Sequence, residues 1–275
     1  MKIFEPHIHM YSRNTRDYAE MATAGIASLL EPGGFWLGRE RKCADTCIEY
    51  FDHLIDFEWT RAEKAGIKYH CTFALNPKEA HTPAIRERVL FELPKYLAHP
   101  LCPALGEVGY DKIDTVEEEV VLWQLALAKR LNLPVLVHTP HVEKKKGTER
   151  LIANVRDVGI SPDLVEIDHC TEEQIGLVVD AGLWAGFTIY PVTKLSPERA
   201  VAIFKQYGTD RMLVNSSADW GPSDPLSVPK LAVMMKQAGF AEDVVQRLVW
   251  DNPVRFFGQS GKLAEQPIFE EAVAD

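Results

Sequence analysis

The chain predicts an α/β fold, a (β/α)8 TIM barrel, on three observations. Short continuous apolar runs alternate with longer amphipathic stretches from one end to the other. Continuous apolar strands flanked by helices mark a parallel sheet covered on its outer face. Eight such pairs fit into 275 residues, close to the roughly 250 of a common barrel.

The strands are expected at 2–7, 26–30, 67–75, 104–108, 134–138, 164–169, 183–189 and 211–215. Helical periodicity fills the intervals at 17–24, 45–65, 84–97, 116–131, 148–158, 172–181 and 197–207, and an eighth helix is expected at 228–238. Asp45 is placed to cap the helix ending before Gly66, and Thr171 with Glu172 and Glu173 to open another. Gly33, Gly34 and Gly38 loosen the segment after the second strand. No linker divides the chain, so residues 1–258 are expected to form one barrel and 259–275 a polar, acidic C-terminal arm or tail.

Composition narrows the function. Apolar residues make up 46% and charged residues 25%, a globular balance with ample material for a core. No run of about 18 apolar residues predicts a membrane span. The N-terminus lacks the basic and apolar regions of a signal peptide, and five cysteines are an odd number. A cytoplasmic protein with reduced thiols is the expectation. The formal charge of −10 gives no global attraction to phosphate backbones.

His7 and His9 close the first strand two residues apart, so both imidazoles share one strand face and can reach one ion. Alone, His-x-His is a weak signal, more readily a pair of satisfied core histidines than a metal site. Glu107, His138 and His169 close the fourth, fifth and sixth strands, and Asp219 follows the eighth. In a barrel these ends meet at the catalytic face. Imidazole and carboxylate ligands suit zinc, manganese or iron. The six together predict a catalytic metal site.

His7-Ile8-His9, Gly106-Glu107-Val108-Gly109-Tyr110-Asp111, Val137-His138, His169-Cys170, the aspartate after strand eight and Asp251-Asn252-Pro253-Val254-Arg255-Phe256-Phe257-Gly258 occur in that order. The set resembles the TatD-type hydrolases of the amidohydrolase superfamily over nearly the whole chain. The resemblance implies that His7, His9 and Asp219 hold one ion, that His138 and His169 hold the other, and that Glu107 bridges them. Three segments depart from the family's pattern: Glu5 replaces the aspartate of Asp-x-His-x-His, Ala74-Leu75-Asn76-Pro77 replaces Gly-x-His-Pro, and Ser217-Ala218-Asp219 replaces Glu-Thr-Asp.

The expected chemistry is hydrolysis by a metal-activated water, with Asp219 and Glu107 as catalytic residues and Asp219 accepting the proton. His141 could be a substrate contact, a proton shuttle or an ordinary loop histidine. Lys144, Lys145 and Lys146, in the loop after strand five, could receive an anion or form a solvated charge run. Arg39, Arg41 and Lys42, beside Phe35 and Trp36, could form a lid with an anion contact or a packed surface loop. Cys43-x-x-x-Cys47 reads as helix-packing thiols, and His53, His70 and His99 as structural. The expected substrate is a small anionic phosphoester or carboxylate-bearing molecule in preference to long DNA. The alternatives are other amidohydrolase chemistry (lactonase, deaminase or decarboxylase) and a metal-binding, noncatalytic pathway subunit.

Overall fold

The structure is a computed structural model that describes residues 1–36 and 38–269. Eight strands run in the order of the chain, each parallel to the next. They are β1 (Ile3–Glu5), β2 (Ile26–Pro32), β3 (Lys68–Phe73), β4 (Ala104–Gly109), β5 (Val135–His138), β6 (Val165–Ile167), β7 (Trp184–Thr188) and β8 (Met212–Asn215). The helices between them are α1 (Thr15–Thr23), α2 (Asp45–His53), α3 (Trp59–Lys64), α4 (Pro83–Leu97), α5 (Thr115–Leu131), α6 (Lys144–Val158), α7 (Ile175–Asp180) and α8 (Pro197–Tyr207). After β8 come α9 (Ser227–Gln237), α10 (Glu242–Gln246) and α11 (Asn252–Gly258). The fold is the (β/α)8 barrel that the sequence predicts.

Several details differ from the sequence-based expectation. The stretch expected as one helix over 45–65 contains a π-helical turn at Leu54–Glu58 between α2 and α3. Asp45 is its first helical residue; the cap position is Ala44, with no side-chain cap bond. Gly66 ends this segment at φ +80°, in the left-handed region that suits glycine. Helix α6 begins at Lys144, so the three lysines expected in a loop form its first turn. Segment 242–258, for which no helix was expected, is α10, a π-helical stretch at Arg247–Asp251, and α11.

The barrel interior is filled by Phe4, Leu30, Ala104, Leu136, Trp184 and Leu213, one from each of six strands. Trp250, Val254, Phe256 and Phe257 pack against them and close the barrel from the strands' N-terminal side. Asn252 fastens this plug by donating to the carbonyls of Thr209 (2.9 Å) and Met212 (2.8 Å). The described part of the C-terminal arm lies across the same end. Glu265 accepts from Ser28 Oγ (2.7 Å) and pairs with His70 (2.9 Å). Lys262 Nζ donates to the carbonyls of Leu97 (2.5 Å), His99 (3.3 Å) and Cys102 (2.9 Å).

The seam between β8 and β1 is closed above the strands. Ser217 N donates to His7 O (2.8 Å) and His9 N to Ala218 O (3.0 Å). Glu5 Oε1 accepts from the amides of Ser216 (3.0 Å) and His7 (3.3 Å). Burial pushes this carboxyl up to about 8. The chain segments carrying the histidine pair are therefore also the barrel's closure. No described helix is long and apolar enough to cross a membrane.

Candidate metal centre

Four imidazoles surround one carboxylate at the C-terminal end of the barrel. His7 Nε2 lies 3.1 Å from His9 Nε2 and 3.6 Å from Glu107 Oε2. Glu107 Oε1 lies 3.4 Å from His169 Nε2 and 3.5 Å from His138 Nδ1. Burial alone would raise the carboxyl of Glu107, but His7, His138 and His169 hold it well below the usual carboxylate range. Burial also drives His9 and His169 well below the usual imidazole value, so their neutral, lone-pair-bearing forms prevail.

Asp168 and Thr188 set the rings from behind. Asp168 Oδ2 is 2.6 Å from His7 Nδ1. That contact assigns the proton to Nδ1 and leaves the Nε2 lone pair facing Glu107. Thr188 Oγ1 does the same for His169 at 2.5 Å. His9 stacks on Phe35 with ring centroids 4.0 Å apart and an 18° tilt. The result is a buried set of nitrogen and oxygen acceptors aimed at one another. Glu107 Oε1 has no hydrogen-bond partner among the described residues. Such a set can hold a cation, and its N/O composition fits zinc, manganese or iron.

Asp168 has no metal-ligand signal in the strand pattern. Successive strand residues face opposite sides, so His169 pointing inward predicts Asp168 pointing away. The backbone at His169 turns into the left-handed region at φ +59°, and this break in the alternation brings both side chains to the centre. Ligand atoms of His7, Glu107, Asp168 and His169 all lie within 4.8 Å of one another. Ser217, at the top of β8, is also left-handed at φ +42°. Two such positions in the same centre are typical of functional loops.

The other residues singled out in the sequence divide. Asp219 stands outside the inner group and forms a wall of the same cleft. Its Oδ1 accepts from Gly221 N (2.8 Å) and Tyr190 Oη (3.2 Å). His141 also lines this cleft. Lys144 is turned inward, donating from Nζ to Thr139 Oγ1 and the His169 carbonyl, both at 3.0 Å. Burial, with Lys194 nearby, lowers its amine to about 8. Lys145 borders a separate open depression with Lys146 and Glu149. Arg39 is exposed and lines no part of the cleft. Arg41 is buried, paired with Glu79 and bonded to the Phe35 carbonyl, so it holds the loop after β2. Cys47 packs in the core and contacts Glu79 at 3.7 Å, and all five cysteines are free.

Lys194, in the loop after β7, carries no periodic or motif signal. Its Nζ nevertheless sits 3.4 Å from His169 Nε2 and 3.1 Å from Ser217 Oγ. A lysine thus faces the acceptor group from the cleft wall. The cleft measures about 250 Å³.

The sequence profile of the TatD related DNase family matches residues 7–258. A metal-dependent hydrolase of unassigned substrate from Methanocaldococcus jannaschii is 28% identical over 261 residues, covering 93% of this chain and 99% of the relative. The crystal structure of a TatD-like protein from Archaeoglobus fulgidus superposes with a TM-score of 0.77 at 26% identity, over 92% of this chain and 99% of that one. The phosphotriesterase homology protein of Escherichia coli, complexed with phosphate in its active site, shares the fold at a TM-score of 0.67 and 15% identity, over 93% and 98% of the two chains. With a profile match from His7 to Gly258 and a buried histidine–carboxylate centre at the barrel's catalytic end, the chain belongs to the TatD related DNase family and is a metal-dependent hydrolase of that type.

Proposed function

We propose that the enzyme hydrolyses a small anionic ester, a phosphoester foremost, at this centre. His7, His9, Glu107, His138 and His169 would hold one or two divalent ions, with Asp219 available from the cleft wall. When bound, the ions supply Lewis acidity and bring the pKa of a water towards neutrality. Glu107 would contribute negative charge to the bound metal, and Asp168 and Thr188 keep the imidazole lone pairs aimed inward. Asp219, with one oxygen held by Gly221 N, would take a proton at its other oxygen and return it to a leaving group. Lys194 would bind an anionic substrate oxygen and stabilise the charge that grows on it.

One observation carries this reading: a half-buried lysine, Lys194, projects into the acceptor cluster from the cleft side. Such a charge complements a single anionic group. A polyanion requires several phosphate neutralisations along a groove, and the net charge is −10. Lys145 and Arg39 lie outside the cleft, and its second lysine, Lys78, is paired with Asp111 at 3.1 Å. The five free thiols suit the reducing cytoplasm that we assign to this activity.

The test is a substrate panel on protein stripped by a chelator and reloaded separately with zinc, manganese or iron. Short phosphomono- and diesters should show the highest kcat/KM, and Lys194→Met should lower it with metal content unchanged. Efficient metal-dependent degradation of plasmid or single-stranded DNA, falling steeply with salt, would overturn the small-substrate reading. Preferential turnover of lactones or amides would shift the assignment to another amidohydrolase chemistry.

A further inference from the structure

The mouth of the cleft has an aromatic wall that metal binding does not explain. Trp220 follows Asp219 directly, and 53% of its surface is exposed. Its ring rests against Phe35, centroids 5.0 Å apart at a 46° tilt, and Phe35 in turn stacks on His9. Three rings therefore run in contact from solvent to the imidazole of an expected metal ligand. Trp36 lines the same cleft, with Lys78 Nζ 5.6 Å from its ring centroid. Gly38, at φ +74°, turns the loop past Trp220; a Cβ there would lie 3.6 Å from the indole edge.

An indole half in water beside a polar metal centre leaves apolar surface unburied. Phe35 backs it on one side, and Trp220 itself lines the cleft. A flat, polarisable surface held in place binds other flat groups by stacking at little cost in side-chain entropy.

Resting on the hydrolase reading above, we propose that Trp220, backed by Phe35 and flanked by Trp36, is a specificity-determining platform that stacks a planar aromatic group of the substrate. The substrate class is then an aryl ester of a small anionic acid, with the anionic group at the metal centre and Lys194 and the ring at the mouth. An aliphatic ester of the same acid fills the inner subsite alone.

Two non-hydrolysable probes, phenylphosphonate and methylphosphonate, test the platform without turnover. Calorimetric titration of the metal-loaded enzyme should show phenylphosphonate binding at least tenfold more tightly, equivalent to 1.4 kcal/mol. Trp220→Ala should collapse that ratio towards one, and Trp220→Phe should retain most of it. Val142→Ala, on the exposed loop after β5, should leave the ratio unchanged. Metal content, measured in parallel, should match wild type in all three variants. A wild-type ratio near one, or a ratio that survives Trp220→Ala, overturns the platform. Turnover of phenyl and methyl phosphate by the same proteins is read separately. If neither ester is hydrolysed while the binding ratio behaves as described, the phosphoester reading fails and the aromatic platform stands.

Discussion

Replacing Asp168 by asparagine isolates the contribution of one buried carboxylate to metal affinity. The side chain is fully buried. One oxygen is 2.6 Å from His7 Nδ1, and the other accepts from His169 N (2.6 Å) and Asn215 Nδ2 (2.9 Å). Asparagine keeps the shape and one acceptor, so the bonds to His169 N and Asn215 can persist. The amide group then faces His7 Nδ1, cannot accept its proton, and favours the tautomer that carries hydrogen on Nε2. That hydrogen would point at the ion. Losing such an orienting partner typically weakens metal binding about 10–100-fold, or about 1.4–2.8 kcal/mol. Thr188→Ala should cost less, because the hydroxyl at His169 Nδ1 is neutral. The assay is competition for zinc against a chromophoric chelator at fixed pH, with circular dichroism and thermal melting to confirm the fold. A folded Asp168→Asn protein with wild-type zinc affinity would refute the orienting role. Loss of one whole equivalent of metal would instead make Asp168 a ligand.

Three further outcomes are expected. Glu107→Gln should lower metal occupancy, measured by elemental analysis, more than His141→Ala, because the amide loses both the charge and one acceptor; equal occupancy in the two variants removes the bridging role. Gly186→Ala should destabilise the barrel by about 1–3 kcal/mol, since a Cβ there would lie 2.0 Å from Glu166 Oε1 and 2.5 Å from Asp168 Oδ1; an unchanged melting temperature counts against this packing. Glu265, although burial pushes it up, is brought down to about 2 from its ordinary 4.5 by His70 and Ser28. The stabilisation from this depressed carboxyl is present above 4.5 and lost as pH falls towards 2. Glu265→Gln should therefore cost about 1–2 kcal/mol near neutrality, allowing for partial solvent screening. Urea titrations of the two proteins should converge in acid, and a constant difference across pH would exclude this linkage.

The sequence alone was enough for the architecture, because strand and helix periodicities are local. Eight apolar runs fell on eight strands, and the eighth strand was found to within a residue. Helices starting against the usual rules were less legible: α6 opens on three lysines, which the helix dipole disfavours, and their charge pattern resembles a loop. The closing helices escaped because their apolar residues face into the barrel floor, a surface that exists only once the strands have assembled. At the metal centre, the two-residue spacing of His7 and His9 was legible, as was the closing of successive strands by His or Glu. Tertiary structure decided the rest. Asp168 meets His7 across 161 positions of chain, and it can do so because the left-handed turn at His169 suspends the alternation on which a strand pattern relies. Lys194 reaches the cluster from an aperiodic loop, while Arg41, as basic in sequence as Arg39, is drawn into the protein by Glu79. A local pattern records which face a residue shares with its neighbours. The partner waiting on that face is set by distant chain, and at this centre the partner determines whether a charge orients a ligand, meets a substrate or holds a loop.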